Sequence, residues 1–509
     1  MAEGTTFKRC TCRDGDRKEL GQKCPKLRRA NGTWSNYHGT WYCQLELPPQ
    51  PDGTRRNPLR RGGYPTQEAA EAVLKQAREL LAIADEDDLR TRIKIADAMT
   101  AHLKDTGQLP DPARVRKMVR AGQDPATKPP TVGEWLDQQW LPGKKKLRKG
   151  TVRSYAAHIR LYYLPNIGDI SVDRLRVTDV ASVFEAIDEQ NDLIIEACAS
   201  DDQAVRASVR NLRIISAATK QRIRATLRSA LTTYMKQHPG VLTFNAAALV
   251  ELPSGTRPRP LVWTEERTRE WQWDFQDRFA EARAQARGRR VDPVAVWVSV
   301  PRPSPVMVWT PAQTKVFLTH ARKHRLYALY HLIAFRGLRR GEACGLRRTD
   351  TDLPGAVTNI RWQITQLGWG TEEGAPKSEA GERQVALDQQ TVTVLRAHRR
   401  RQDSERDAAG DGWTASGFEF TCPNGAPLHP ASVTDMFEQI AYLAGLPPIR
   451  LHDLRHFAAT LALAAGVDIK VVQEQLGHSS RAITSDTYTT VMPEVARAAA
   501  EATARLMAD

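Results

Sequence analysis

The sequence has no apolar run near the ~20 residues that a membrane-crossing helix requires. Met1–Cys10 shows no apolar core of the signal-peptide kind. These absences predict a cytosolic (cytoplasmic) chain with no membrane partner. Seven cysteines in 509 residues, in such a compartment, argue against a disulfide framework. HExxH, a Walker A loop and an Asp/Glu cluster of the two-metal type are all missing, so the common signatures of metal- or nucleotide-driven hydrolysis are not there. Acid is also in short supply. Lys and Arg number 74 against 59 Asp and Glu, a net charge of +15, and the pI is near 9.6. A surplus of that size favours a polyanionic partner, because cations that neutralise phosphates release condensed counterions.

The length suggests roughly three domains at ~150 residues each. In residues 1–85, Gly39–Leu47 is rich in aromatic and apolar residues and reads as a strand. The basic residues Arg55, Arg56, Arg60 and Arg61 follow. Thr66 then caps a helix through Val73, Leu74 and Leu81. Residues 86–130 read as a connector. Residues 131–252 read as all-helical: Val132, Trp135, Leu136 and Trp140 share one face, and Thr151 is placed to cap a helix over Val152–Leu164. Ile223, Leu227, Leu231 and Tyr234 form the apolar face of a further helix, Thr219–Lys236. The cations of this unit, Lys144, Lys145, Lys146, Arg148, Lys220 and Arg224, are expected with Arg55 and Arg56 to meet DNA phosphates; the simpler alternative is that they solvate their helices. Residues 253–308 are Pro-rich and read as a linker with an insertion. Pro260-Leu-Val-Trp-Thr264 within it faintly resembles Pro305-Val-Met-Val-Trp-Thr310. Residues 309–509 read as a mixed α/β, mainly helical domain starting at Thr310-Pro311.

That last domain carries five motifs: Gly337-Leu-Arg-Arg-Gly-Glu342, Pro376-Lys-Ser378 with a return strand to Val385, His452-Asp-Leu-Arg-His456, Leu476-Gly-His-Ser-Ser480 and Thr487-Tyr-Thr489. The set suits attack on a phosphodiester. Arg339 and Arg455 offer fixed cationic forks for phosphoryl oxygens that gain charge in the transition state. His452 stands three residues before Arg455, on the same helical face. His478 adds a donor or proton shuttle, Lys377 on a hairpin turn can protonate a leaving oxygen, and Tyr488 can serve as covalent nucleophile. Each motif alone has a structural reading, such as a solvated cap, a surface lysine or a packed histidine. His456 reads as structural, packing behind the site. The ordered series is what carries specificity.

The order Arg, Lys, His-x-x-Arg, His, Tyr resembles the tyrosine recombinases, the integrase family of phages and integrative elements. The likeness implies Arg339, Lys377, His452, Arg455, His478 and Tyr488 as catalytic residues, with Glu342 in a supporting role. It further implies a 3′-phosphotyrosyl intermediate, no ATP, no cofactor and no metal, double-stranded DNA attachment sites, and a homotetramer at synapsis through a Holliday junction. An excisionase or a host DNA-bending protein is a possible partner. The implied architecture is a small α+β arm-type DNA-binding domain, an all-α (SAM-like) core-binding domain and the catalytic domain. A Xer-like resolvase or transposase of the same chemistry, or a non-catalytic DNA-binding regulator, remain alternatives; the long N-terminal region favours an integrase. Cys10, Cys12 and Cys24, with His38 and Cys43 further on, read either as reduced, unliganded thiols or as a zinc knuckle, although Cys10-x-Cys12 is tighter than the common Cys-x₂₋₄-Cys spacing.

Overall fold

The computed structural model describes residues 4–255, 258, 260–376, 378–477, 500, 501 and 504. Lys377, His478 and Tyr488 lie outside the described residues. The chain divides into two compact units, residues 1–255 and 256–509.

The first unit opens with an antiparallel sheet of β1 (Thr5–Arg13), β2 (Glu19–Gly21), β3 (Thr40–Leu45) and β4 (Leu59–Tyr64), in the order β2-β1-β3-β4. In β3, alternation turns Trp41, Cys43 and Leu45 inward. They meet the apolar face of α1 (Gln67–Leu81), whose first turn is capped by Thr66 Oγ1 accepting the Ala69 N–H at 3.2 Å. The sheet and helix are as the sequence predicts. The expected connector is different: α2 (Leu89–Thr106) and α3 (Pro112–Arg120) are capped by Asp88 and Asp111 and bury Ile95, Met99 and Val115 in the same core. Residues 89–120 are therefore part of the N-terminal module.

Beyond it, the helical part comprises a π-helical segment Glu134–Trp140, α4 (Lys149–His158), a second π-helical turn Ile159–Tyr163, α5 (Leu164–Ile167), α6 (Val177–Ala199), α7 (Gln203–Ser208), α8 (Ala217–Gln237) and α9 (Ala246–Leu249). All eight apolar positions predicted for the faces of Val132–Trp140 and Ile223–Tyr234 are buried in one core. Thr151 does not cap a helix: α4 begins a turn earlier, behind an Arg148 that makes no side-chain cap bond.

The second unit incorporates the stretch expected to be a linker. Its β5 (Leu261–Val262) pairs in parallel with β6 (Met307–Val308), with α10 (Glu265–Gln285) and α11 (Pro293–Ser299) between them. The two faintly similar sequences pair with each other, Leu261 to Met307 and Val262 to Val308. Each then runs through a buried tryptophan, Trp263 or Trp309, into a threonine N-cap, Thr264 of α10 or Thr310 of α12 (Pro311–Ala321). Trp263, Trp271, Trp297 and Trp309 belong to the main core of the unit, so apolar side chains bind this segment in place. There follow α13 (Tyr327–Arg336), α14 (Arg340–Cys344), β7 (Thr351–Asp352), β8 (Val357–Ile360), β9 (Gln363–Leu367), β10 (Gly370–Gly374), β11 (Arg383–Ala386), α15 (Gln389–Ala409), α16 (Pro430–Leu443), α17 (Asp453–Ala464) and α18 (Ile469–Leu476). The return strand after Pro376 exists as β11, but it pairs with β8 in the sheet β11-β8-β7, while β10 pairs with β9. β10 and β11 thus belong to different sheets and are not the two arms of one hairpin.

Candidate active site

Helix α13 ends on Gly337 in the left-handed conformation, φ 68°, where a Cβ would lie 2.5 Å from a Leu476 methyl. Glycine is required there for backbone and for space. The chain then re-enters a helix with Arg339 as the N-cap of α14, and the Glu342 carboxylate accepts the Arg339 backbone N–H at 2.9 Å. Glu342 is buried, and it also accepts from Arg339 Nη1 at 2.5 Å and Arg383 Nη2 at 2.9 Å. Burial alone would raise its pKa, but the hydrogen bonds and charge of Arg383, followed by the charge of Arg339, hold it below the ordinary value. Glu342 is therefore a fixed anion that aims two guanidiniums.

The motifs separated in sequence meet at one strip of backbone. Arg455, almost wholly buried on α17, donates through Nη1 to Gly337 O and through Nη2 to Leu476 O, both at 2.6 Å. Arg339 Nη2 donates to Gly477 O at 3.1 Å. Arg383 Nε donates to Gln475 O at 2.6 Å. Three arginines thus hold the carbonyls of 475–477, the last residues before His478. Arg339 keeps a 37% exposed side chain, open to an anion. Arg455 is turned toward backbone and ties α13 to the end of α18.

His452 is the N-cap of α17 and has a solvent-accessible edge. Crowding by protein strips water from the ring, and His456, Arg455, Arg450 and Arg339 add repulsion, so its pKa is lowered. It is neutral at neutral pH and can both donate and accept. His456 packs edge-on against it at 5.4 Å between centroids and is buried, in keeping with a supporting place behind His452. The buried Asp453 is held by Arg450 Nη2 at 2.7 Å and anchors the start of this helix. The structure therefore brings together Arg339, Glu342 and Arg455, with His452 three residues ahead of Arg455 on α17. It adds Arg383, which had no assigned role in the sequence. Nothing in the short stretch around Arg383 marks it, because its partner Glu342 lies 41 residues earlier.

The expected DNA-facing cations separate into two groups. Lys145, Lys146 and Arg148 are exposed, and Arg55 is exposed beside Glu46 at 3.7 Å. Lys144 donates to Thr233 Oγ1 at 3.3 Å and lies over the Trp140 ring, next to an open groove lined by Arg228, Ser229, Thr232 and Lys236. The others turn inward. Arg56 pairs with Asp97 at 2.6 Å and donates to Pro48 O, the buried Lys220 pairs with Asp188, and Arg224 Nη1 donates to Val250 O at 2.5 Å. Their charge is used inside the unit, whereas Arg228 and Lys236 of α8 are exposed.

Residues 308–494 match the phage integrase family. A tyrosine recombinase XerC-like protein of Caldanaerobacter subterraneus subsp. tengcongensis is 33% identical over 183 residues, covering 34% of this chain and 47% of that protein. An integrase of Saccharopolyspora erythraea is 41% identical over 115 residues, 23% of this chain and 26% of that protein. These matches span less than half the length of either relative. Among solved structures, the Tn1549 transposon integrase in complex with transposon right end DNA is similar with a TM-score of 0.49 at 18% identity, over 74% of this chain and 99% of that one. The stretch that matches the phage integrase family, residues 308–494, holds Arg339, Glu342, Arg383, His452 and Arg455.

Proposed function

We propose that the chain is a site-specific DNA recombinase that cuts and rejoins strands through Tyr488 and serves the integration and excision of a mobile element. The observation that carries this reading is the convergence of Arg339, Arg455 and Arg383 on the 475–477 backbone. It sets the Gln475–Gly477 backbone beside the arginine that remains open to an anion. A phosphodiester bound by Arg339 would gain charge on its non-bridging oxygens as attack proceeds, and a preoriented guanidinium stabilises that charge without reorganisation. The neutral imidazole of His452 supplies a hydrogen bond to the same oxygens.

In the proposed reaction the Tyr488 hydroxyl attacks the scissile phosphorus, forming a 3′-phosphotyrosyl bond as its proton passes to a base, for which the neutral His452 is the proposed acceptor. The 5′ oxygen leaves and takes a proton, for which Lys377 is the proposed donor. The 5′-hydroxyl of a partner strand then attacks the phosphotyrosine, and the tyrosine oxygen leaves with a proton restored. Phosphodiester bonds are conserved in number, so no external energy source enters. Two such exchanges require four protomers on paired attachment sites, which makes a homotetramer on double-stranded DNA the proposed working assembly. The basic N-terminal module, which precedes the helical part within the first unit, supports an integrase that engages two classes of site.

A nicked suicide substrate carrying a cognate site tests the assignment. The wild-type chain is expected to form a covalent protein–DNA adduct, and Tyr488→Phe to form none. Arg339→Ala is expected to lose adduct while still binding DNA. Absence of adduct from the wild type on its own flanking sites, or an undiminished adduct from Tyr488→Phe, overturns it.

A further inference from the structure

Strands place alternate side chains on one face, so Lys8, Cys10 and Cys12 of β1 point the same way. That face is inward: Lys8 and Cys10 are buried. Cys10-x-Cys12 is thus a strand pair and not a shortened knuckle. Cys24 approaches from the N-cap of the single turn Pro25–Leu27, and His38 from the loop before β3. Gly39, beside the histidine, has φ +72°, and a Cβ there would lie 2.7 Å from the Arg9 carbonyl, so only glycine lets His38 come this close to β1. The ligand atoms of Cys10, Cys12, Cys24 and His38 all lie within 4.8 Å of one another. His38 Nε2 is 3.5 Å from both Cys12 Sγ and Cys24 Sγ. A tetrahedral zinc ion with bonds of about 2.3 Å to sulfur and about 2.0–2.1 Å to nitrogen demands sulfur–nitrogen edges of about 3.6 Å. Both edges that His38 makes to sulfur match that length. Cys43 lies elsewhere, in the core between β3 and α1.

We propose that Cys10, Cys12, Cys24 and His38 form a structural zinc site that ties the β1–β2 hairpin to the Pro25–Leu27 turn and the loop before β3. Three thiolates, a neutral imidazole and the ion leave a net charge of −1. Nine Lys and Arg against three acids between Lys8 and Arg29 offset it. The local apolar core is only Cys10, Cys24 and Leu27, with Cys12, Leu20 and Trp34 at its edge. So small a core does not hold loops of this length by itself, and a metal is a usual supplement. The ion would therefore fix the exposed cations Arg13, Arg17, Lys18, Lys23, Lys26, Arg28 and Arg29 in one arrangement. All four ligands are supplied by the protein, which leaves no open position for catalysis.

Elemental analysis of the full-length chain, purified without chelator under reducing conditions, is expected to find about one zinc per chain. Zinc-depleted protein given cobalt(II) is expected to show the intense visible bands of a tetrahedral ion and a thiolate charge-transfer band. The double variant Cys12→Ser, Cys24→Ser should lose the zinc and both spectral features, while Cys198→Ser, at an exposed position outside the cluster, keeps them. A wild-type chain without stoichiometric zinc and without tetrahedral cobalt bands overturns the proposal, whatever the folding of the variants. So does full metal content in the double variant.

Discussion

Glu342 is a carboxylate almost without water, set between the guanidiniums of Arg339 and Arg383. Replacing it with glutamine removes the anion and turns an amide N–H₂ toward cationic donors. Breaking a buried pair from one side leaves the other charges uncompensated and costs about 3–5 kcal/mol. Glu342→Gln is therefore expected to lower the denaturation free energy by roughly that amount, read by urea unfolding. Adduct formation should fall further than stability explains, because Arg339 loses its anchor. The pKa of Glu342 is depressed in the fold, so its contribution is present above the unfolded carboxylate range and lost as pH falls through the folded value. An unchanged unfolding midpoint in the variant would remove Glu342 as organiser of the site. Arg339, Glu342, His452 and Arg455 were legible in the sequence because the chemistry confines them to short motifs. Arg383 was not: its partner Glu342 is 41 residues away, and an arginine on a strand reads as a surface charge. The reverse holds for Arg56 and Lys220, whose carboxylate partners lie 41 and 32 residues distant, so that two inward cations passed for phosphate contacts.

Three indoles hold the element that presents His452. Trp297 Nε1 donates to Leu446 O at 3.0 Å, Trp309 Nε1 to Pro447 O at 2.9 Å and Trp263 Nε1 to Pro448 O at 3.2 Å. All three donors are buried and grip consecutive carbonyls just ahead of α17. Trp309→Phe keeps an aromatic ring but leaves the Pro447 carbonyl without its donor. The expected loss is about 1–3 kcal/mol for the unsatisfied group, or a fall of very roughly 2–10 °C in the melting temperature of the second unit. Trp273→Phe, on an exposed tryptophan of α10, should leave the melt unchanged. Equal melts for the two variants would show that the indole bonds do not stabilise this element. The clamp explains why the 253–308 stretch misled: prolines and a lack of long periodicity are the marks of a linker, yet its strands are two residues long and its cohesion comes from tryptophans bonding to a loop 138–185 residues later. Elements with their own periodicity, such as α1, α8 and α12, were legible because the apolar face and the cap lie in the same short segment.

For the whole molecule, a net charge of +15 matters through where it is exposed. Each cation that neutralises a phosphate adds about 0.9 to the slope of log affinity against log salt concentration on duplex DNA. Lys145, Lys146 and Arg148 are exposed in the turn that leads into α4, whereas Lys220 is buried against Asp188. The triple variant Lys145→Ala, Lys146→Ala, Arg148→Ala is expected to lower that slope by up to about 2.7, for three lost contacts, with little change in melting temperature. Lys220→Ala should do the opposite, destabilising the first unit while leaving the slope as it was. Filter binding or fluorescence anisotropy across a salt series separates the two effects, because a stability defect shifts the binding-competent fraction without altering its salt dependence. A reduced slope for Lys220→Ala, or an unchanged one for the triple variant, would mean that surface exposure does not decide which cations of this protein meet DNA.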